Sequence, residues 1–282
     1  MFRKIVFVVI LCFCALGFLY GYYYIRWRHL WQQCSSFPTY NIEHHQEDTL
    51  RILVIGDSWA EIHSELNLDT FLCSKLKDRI TCPVSVVSKG KGGEKSRGIY
   101  KLLFENDGYG TKRFFKSGVD YCIIFAGIND AASNRGTKQF CHHYKLILDF
   151  LLQNNVRPVV VEIPDVKIWT MFKDKPLKDI LSDFIKSTMT QCKMYSFKEY
   201  REALREMLQN EKLMDKVVYV SMSEWNGDGE EIDSSLFTED KVHLNNKGYY
   251  KLDESIAAAI ANHLNLSKNS THIDDLVNNN AN

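Results

Sequence analysis

The sequence predicts an α/β protein in which helices cover both faces of one parallel sheet, preceded by a single apolar N-terminal helix. Short β-branched runs alternate along the chain with stretches whose apolar residues recur at helical spacing. Several runs are apolar throughout, as strands buried on both faces are. Such alternation gives one parallel sheet, and right-handed crossovers restrict how it winds.

Residues 1–30 read as a membrane anchor. Arg3 and Lys4 precede an uncharged, aromatic-rich apolar run from Ile5 to Ile25, closed by Arg26, Arg28 and His29. About 21 residues at about 1.5 Å each span a bilayer core of about 30 Å. A cleaved signal peptide has a shorter apolar region and small residues at its cleavage site, and Tyr22-Tyr23-Tyr24 offers none. An uncleaved signal anchor is therefore expected, with the tyrosines and Trp27 at the membrane interface. The flanking charges are nearly balanced. The outward orientation expected for the catalytic domain, periplasmic or extracellular, rests on the extreme N-terminal position of the span.

Residues 31–48 are polar and unpatterned, as a linker is. A single domain is then expected over 49–266. Its strands are Ile52 to Ile55, Val84 to Val87, Tyr121 to Phe125, Pro158 to Ile163 and Val217 to Val220. Helices are expected between Ala60 and Arg79, around Gly98 to Phe104, and on the stripes Phe140, Tyr144, Ile147, Leu148, Leu151 and Tyr249, Leu252, Ile256, Ala259, Ile260, His263. The interval Asp165 to Asp215 is longer than a crossover needs. It reads either as an added helical layer, with the stripe Tyr200, Ala203, Leu204, Met207 and Leu208, or as a segment overhanging the site and selecting substrate. Residues 267–282, rich in Asn and Ser, read as a flexible polar tail.

Chemistry gathers at the strand ends. The first strand stops at Gly56-Asp57-Ser58, where open α/β sheets place their sites. A serine nucleophile needs a histidine to take its proton, an acid to orient that histidine, and donors for the oxyanion. Asp240-Lys241-Val242-His243 supplies acid and base on one loop. Asn129, in Gly127-Ile128-Asn129-Asp130, offers a side-chain amide, and Ser88-Lys89-Gly90-Lys91-Gly92-Gly93 offers bare backbone N–H groups.

These blocks, in this order, resemble the SGNH (GDSL-type) hydrolases over roughly residues 49 to 266. The resemblance implies a flavodoxin-like three-layer α/β/α fold with a five-stranded parallel sheet. It further implies catalytic Ser58, Asp240 and His243, and an oxyanion hole of Ser58, Gly93 and Asn129, with Gly92 replacing Gly93 if the loop slips by one. Ser88 stands where the family usually has asparagine, and Trp59 where it has an aliphatic residue. The expected reaction is acyl transfer through a serine ester, with no metal and no cofactor. A small-molecule or glycan ester is the expected substrate, preferably O-acetylated surface carbohydrate. An O-acyltransferase and a catalytically silent glycan-binding module are the alternatives.

Other classes find little support. With 35 basic and 35 acidic residues the net charge is +0, so no global field recruits nucleic acid. Lys89, Lys91, Lys95, Arg97 and Lys101 nevertheless outnumber Glu94, forming either a solvated loop or a surface for an acidic glycan or phosphate. Gly-Lys-Gly-Gly-Glu-Lys-Ser is not a P-loop. The cysteine spacing gives no zinc site, and neither His44-His45 nor His142-His143 reads as metal-binding, the latter lying off the periodic stripe of its helix. Cys122 reads as a small core residue, while Cys73 and Cys82 form a candidate local disulfide.

Overall fold

The computed structural model describes residues 2–28, 33–42, 48–164, 175–222, 225 and 234–279, with side chains described as far as residue 266. The sheet contains β1 (Leu50–Gly56), β2 (Val84–Gly90), β3 (Tyr121–Phe125), β4 (Arg157–Val161) and β5 (Val218–Val220). Its order is β2-β1-β3-β4-β5, and every pairing is parallel. The expected three-layer fold is therefore present. Helices α3 (Leu68–Lys77) and α10 (Asn246–Asn279) pack together on one face, while α4 (Ser96–Leu102), α7 (Thr137–Gln153) and α9 (Phe197–Asn210) form the other layer.

The sheet core explains why these runs are uniformly apolar. Leu53, Val54 and Ile55 in β1, all of β3, and Val159 and Val160 in β4 are buried. The chain reverses direction across the sheet at β1, the switch point where α/β folds open a crevice at the carboxyl ends. Gly56 is in register with both Gly90 and Phe125, so the ends of β2, β1 and β3 lie side by side. The approach is close. A Cβ on Gly56 would lie 2.2 Å from the Phe125 carbonyl oxygen, so no larger residue fits there without backbone movement.

Several boundaries differ from the expectation for physical reasons. The helix expected between Ala60 and Arg79 is two, α2 (Ser58–Glu65) and α3, separated by Asn67 at φ 53°. The first begins at Ser58 because the Asp57 carboxylate accepts from the Trp59 N–H and caps it. β4 stops before Glu162, whose buried carboxylate accepts bonds from Tyr219, Ser221, the Met222 N–H and Arg205. Helix α8 (Leu177–Thr190) precedes α9 within the long interval. Residues 165–174, including Trp169 to Phe172, lie outside the described residues, as do His44 and His45. The backbone of α10 stays helical to Asn279, past the expected boundary at 266, there being no Gly or Pro to stop it.

Residues 33–42, expected to be a linker, pack on the domain instead. His143 Nε2 accepts from the Cys34 N–H at 3.3 Å, and His142 Nε2 lies 2.8 Å from the Cys34 carbonyl. Phe37 N–H donates to Tyr100 at 2.8 Å, and its ring stacks on that of Tyr100. His143 is accordingly buried on α7, contrary to the expectation that it lies off the packed stripe. No disulfide joins Cys73 and Cys82: both are free, and the Cys73 thiol donates to the Val84 carbonyl at 3.3 Å.

Helix α1 (Phe2–Trp27) is 26 residues long, and its most apolar stretch has a mean hydropathy of 2.5. By length and composition it can cross a membrane, a property it shares with signal sequences. Its last residue, Trp27, is buried, with the Lys186 ammonium of α8 4.6 Å from its ring centroid.

Candidate active site

Ser58 is the first residue of α2, directly after the β1 turn. Its Oγ lies 2.8 Å from His243 Nε2. His243 Nδ1 in turn lies 2.5 Å from Asp240 Oδ2. Three side chains from two parts of the chain therefore form one hydrogen-bonded series. The loop carrying Asp240 and His243 is held by its own bonds: Asp240 Oδ1 accepts from the backbone N–H groups of Val242 and His243 and from Thr238. Burial pushes the Asp240 carboxyl upward, but the His243 ring, those two N–H groups and Thr238 outweigh it. The carboxyl is held well below the usual carboxylate range.

Trp59, next to the serine, is buried and does more than fill space. Its indole N–H donates to the Val242 carbonyl at 3.2 Å, and its own carbonyl accepts from the Tyr249 hydroxyl at 3.3 Å. The serine turn, the histidine loop and α10 are thus tied together through one residue, by its indole N–H and its backbone carbonyl. Nothing in the sequence signals that role beyond an aromatic residue at an unusual place.

Asn129 lies in a short helix, α6 (Ile128–Ala132), after β3. Its side-chain amide donates to Asp57 Oδ2 at 3.1 Å. Asp57 is almost fully buried. Burial and the nearby Asp130 push its carboxyl up to about 7, against the opposing bonds from the Trp59 N–H and Asn129. The acid of the Gly-Asp-Ser turn is thereby a structural partner of Asn129, a connection hidden in the sequence because 72 positions separate them.

Beyond β2, the two candidate glycines differ. The Gly92 N–H is committed to the Glu61 carboxylate at 2.9 Å. The Gly93 N–H has no hydrogen-bond partner among the described residues. Gly93 sits at φ 72° in open space, a conformation that favours glycine. Beside His243, a surface hollow of about 580 Å³ is walled by Ile62, Leu66 and Leu244 and bordered by Thr238 and Asn245.

A further network, which no local sequence pattern signals, centres on the buried His63. His63 Nδ1 lies 2.8 Å from Ser88 Oγ and 3.0 Å from Asp69, while its Nε2 lies 3.1 Å from Asp253. Burial opposes protonation of the ring, but bonds and charge from Asp253 and Asp69 raise its pKa to about 9. The cation joins α2, α3, β2 and α10. Among the described residues no cluster of three or more His, Cys, Asp or Glu side chains is arranged to hold a metal.

The model of the GDSL-like Lipase/Acylhydrolase family matches residues 54–251. No curated protein matches the sequence. Among solved structures, a lipase/acylhydrolase from Enterococcus faecalis is similar at 16% identity and TM-score 0.53, covering 76% of this chain and 96% of its own. A GDSL-like lipase from Bacteroides thetaiotaomicron gives 14% identity and 0.51, with coverages of 76% and 88%. An acetyl xylan esterase, AlAXEase, gives 15% and 0.52, with coverages of 75% and 100%. At such identities these structures share the fold. The family match spans well over half of the chain, which therefore belongs to the GDSL-like lipase/acylhydrolase family, and ester hydrolysis is the activity that membership supports.

Proposed function

We propose that the protein is a membrane-anchored serine esterase in which Ser58 is the nucleophile, His243 the general base and Asp240 the residue that orients the imidazole. The observation that carries this reading is the contact of 2.8 Å between Ser58 Oγ and His243 Nε2, continued to Asp240. His243 takes the serine proton as Oγ attacks the ester carbonyl, then returns it to the leaving alcohol. Water hydrolyses the acyl-enzyme by the same exchange in reverse. The negative charge on the tetrahedral oxygen is met by the Ser58 and Gly93 N–H groups and the Asn129 amide. The committed Gly92 N–H favours Gly93 over its neighbour.

Residues 1–30 are the anchor in this reading, 31–48 the linker, of which Cys34 and Phe37 bond to the domain, 49–266 the catalytic domain and 267–282 a polar extension. The apolar length of α1 supports anchoring, as do the exposed Leu177, Leu181 and Phe184 of α8, the helix on which its Trp27 end rests. The catalytic domain faces the periplasm or the cell exterior. O-acetyl groups on surface carbohydrate are the proposed substrate; one protein of the same fold is an acetyl xylan esterase. Hydrolysis of short- and long-chain p-nitrophenyl esters and of acetylated sugars by the full chain, against Ser58→Ala, tests the reading. Acetate release from acetylated sugars by wild type alone is expected. Equal rates for the two proteins would refute it.

A further inference from the structure

A cavity of about 440 Å³ lies between the loop after β2, helix α4 and the start of α7. Lys95, Arg97, Lys101 and Arg135 line it, against Glu94 and Asp130. The two acids are already engaged. Glu94 pairs with Lys91 at 2.7 Å, and Asp130 accepts the Ser96 N–H and hydroxyl at 2.9 and 2.8 Å. Among the described residues, Lys95, Lys101 and Arg135 make no ion pair. The buried Nε of Arg135 has no hydrogen-bond partner there, nor does the side-chain oxygen of Gln139 on the same wall.

Four cations held so close against two carboxylates that other groups already engage are costly. Burial lowers the Lys95 ammonium pKa, and Arg135 and Lys186 lower it further, against the opposing pull of Asp130 and Glu94. Burial likewise lowers that of Arg135, with Arg97 adding to the effect against the pull of Asp130. His143, also lining the cavity, is driven down to about 4 by burial and by the charges of His142, Arg97 and Arg135, so it stays neutral at pH 7. An anion entering the cavity would relieve these repulsions. A guanidinium and an ammonium are suited to grip a carboxylate, phosphate or sulfate.

The cavity borders two segments that also serve the site of Ser58, the loop after β2 and helix α6. Lys95 stands two residues beyond Gly93 and donates from Nζ to the Gly93 carbonyl at 3.3 Å. Asp130 directly follows Asn129. We propose that the cavity is a subsite for an acidic group, carboxylate, phosphate or sulfate, borne by the ester substrate of the Ser58 site. The proposal rests on the esterase reading and narrows its substrate to an acidic ester.

The test has a binding arm and a kinetic arm, both on the full chain in neutral detergent. Sodium sulfate and sodium phosphate are titrated at constant ionic strength, with Tm as the readout. A saturable rise is expected in wild type and in Ser58→Ala. It should be lost in Arg135→Gln and weakened several-fold in Lys101→Gln, whose exposed position guards against misfolding. In the kinetic arm, 4-acetoxybenzoate is compared with phenyl acetate. Arg135→Gln should raise the ratio of their KM values by about tenfold, the loss of roughly 1.4 kcal/mol of recognition.

The absence of a saturable rise in wild type overturns the proposal, as does an unchanged KM ratio in Arg135→Gln. Sulfate binding that is many-fold weaker in phosphatidylglycerol nanodiscs than in phosphatidylcholine ones would reassign the cavity to a lipid headgroup and also overturn it. If wild type turns over neither ester, the esterase reading and the substrate subsite fall together. The binding arm still decides whether the cavity takes anions.

Discussion

The Asn129 amide donates to the buried carboxylate of Asp57 at 3.1 Å, so the acid between Gly56 and Ser58 holds the proposed oxyanion donor in place. One amide hydrogen is engaged by that bond, leaving the other for the oxyanion. If the amide meets charge that develops only in the transition state, Asn129→Ala should lower kcat by about 10² to 10³-fold with little change in KM. The rate is taken per site titrated with a fluorophosphonate, which separates chemistry from folding. A near-normal kcat per titrated site would leave Asn129 with a structural role alone. Asp57→Ala should also lower kcat, and cost about 1 kcal/mol of stability through the lost helix cap.

His63 yields a pH-dependent stability. Its folded pKa, about 9, lies above the ordinary value of 6.5, so its contribution is fully present below about pH 6.5 and is lost as pH rises through 9. The size is on the order of 3 kcal/mol. His63→Gln should therefore be destabilised most at pH 6, with the Tm gap to wild type closing by pH 10. Chemical denaturation across that range checks it; a gap independent of pH would mean that the ring is neutral and acts through packing and hydrogen bonds without charge.

Trp59→Phe keeps most of the buried ring but removes the N–H that donates to the Val242 carbonyl. The carbonyl is left without this partner, at a cost of about 1 to 3 kcal/mol. A lower Tm and a several-fold lower kcat are expected, because His243 follows Val242 directly. Unchanged kinetics would show that the histidine loop is held well enough by the bonds to Asp240.

The strands were legible because their signal is local. Tyr121 to Phe125 is apolar at every position, and the strand occupies those same residues. The serine, asparagine, aspartate and histidine were legible as short motifs in order. Contacts joining distant residues were not. Nothing beside His63 signals Asp253, and nothing beside Cys34 indicates that His142 and His143 bind it. Arg135, opposite the basic stretch that begins at Lys89, was invisible for the same reason: the cavity exists only once α7 packs against α4.

For the proposed anchor, alkaline carbonate extraction followed by N-terminal sequencing is decisive. The chain should pellet with membranes and retain its N-terminus, Phe2–Trp27 being the helix that holds it there. A soluble chain beginning near residue 26 would establish cleavage and remove the anchor.

The central claim is that His243 activates Ser58, and a fluorophosphonate probe tests it most directly, since an activated serine reacts far faster than an ordinary hydroxyl. Mass spectrometry of the labelled full chain should place the adduct on Ser58. Labelling should vanish in Ser58→Ala and slow by orders of magnitude in His243→Ala, with both variants folded by circular dichroism. Labelling of Ser58→Ala at the wild-type rate, or an unlabelled Ser58 in the wild-type protein, would contradict the account.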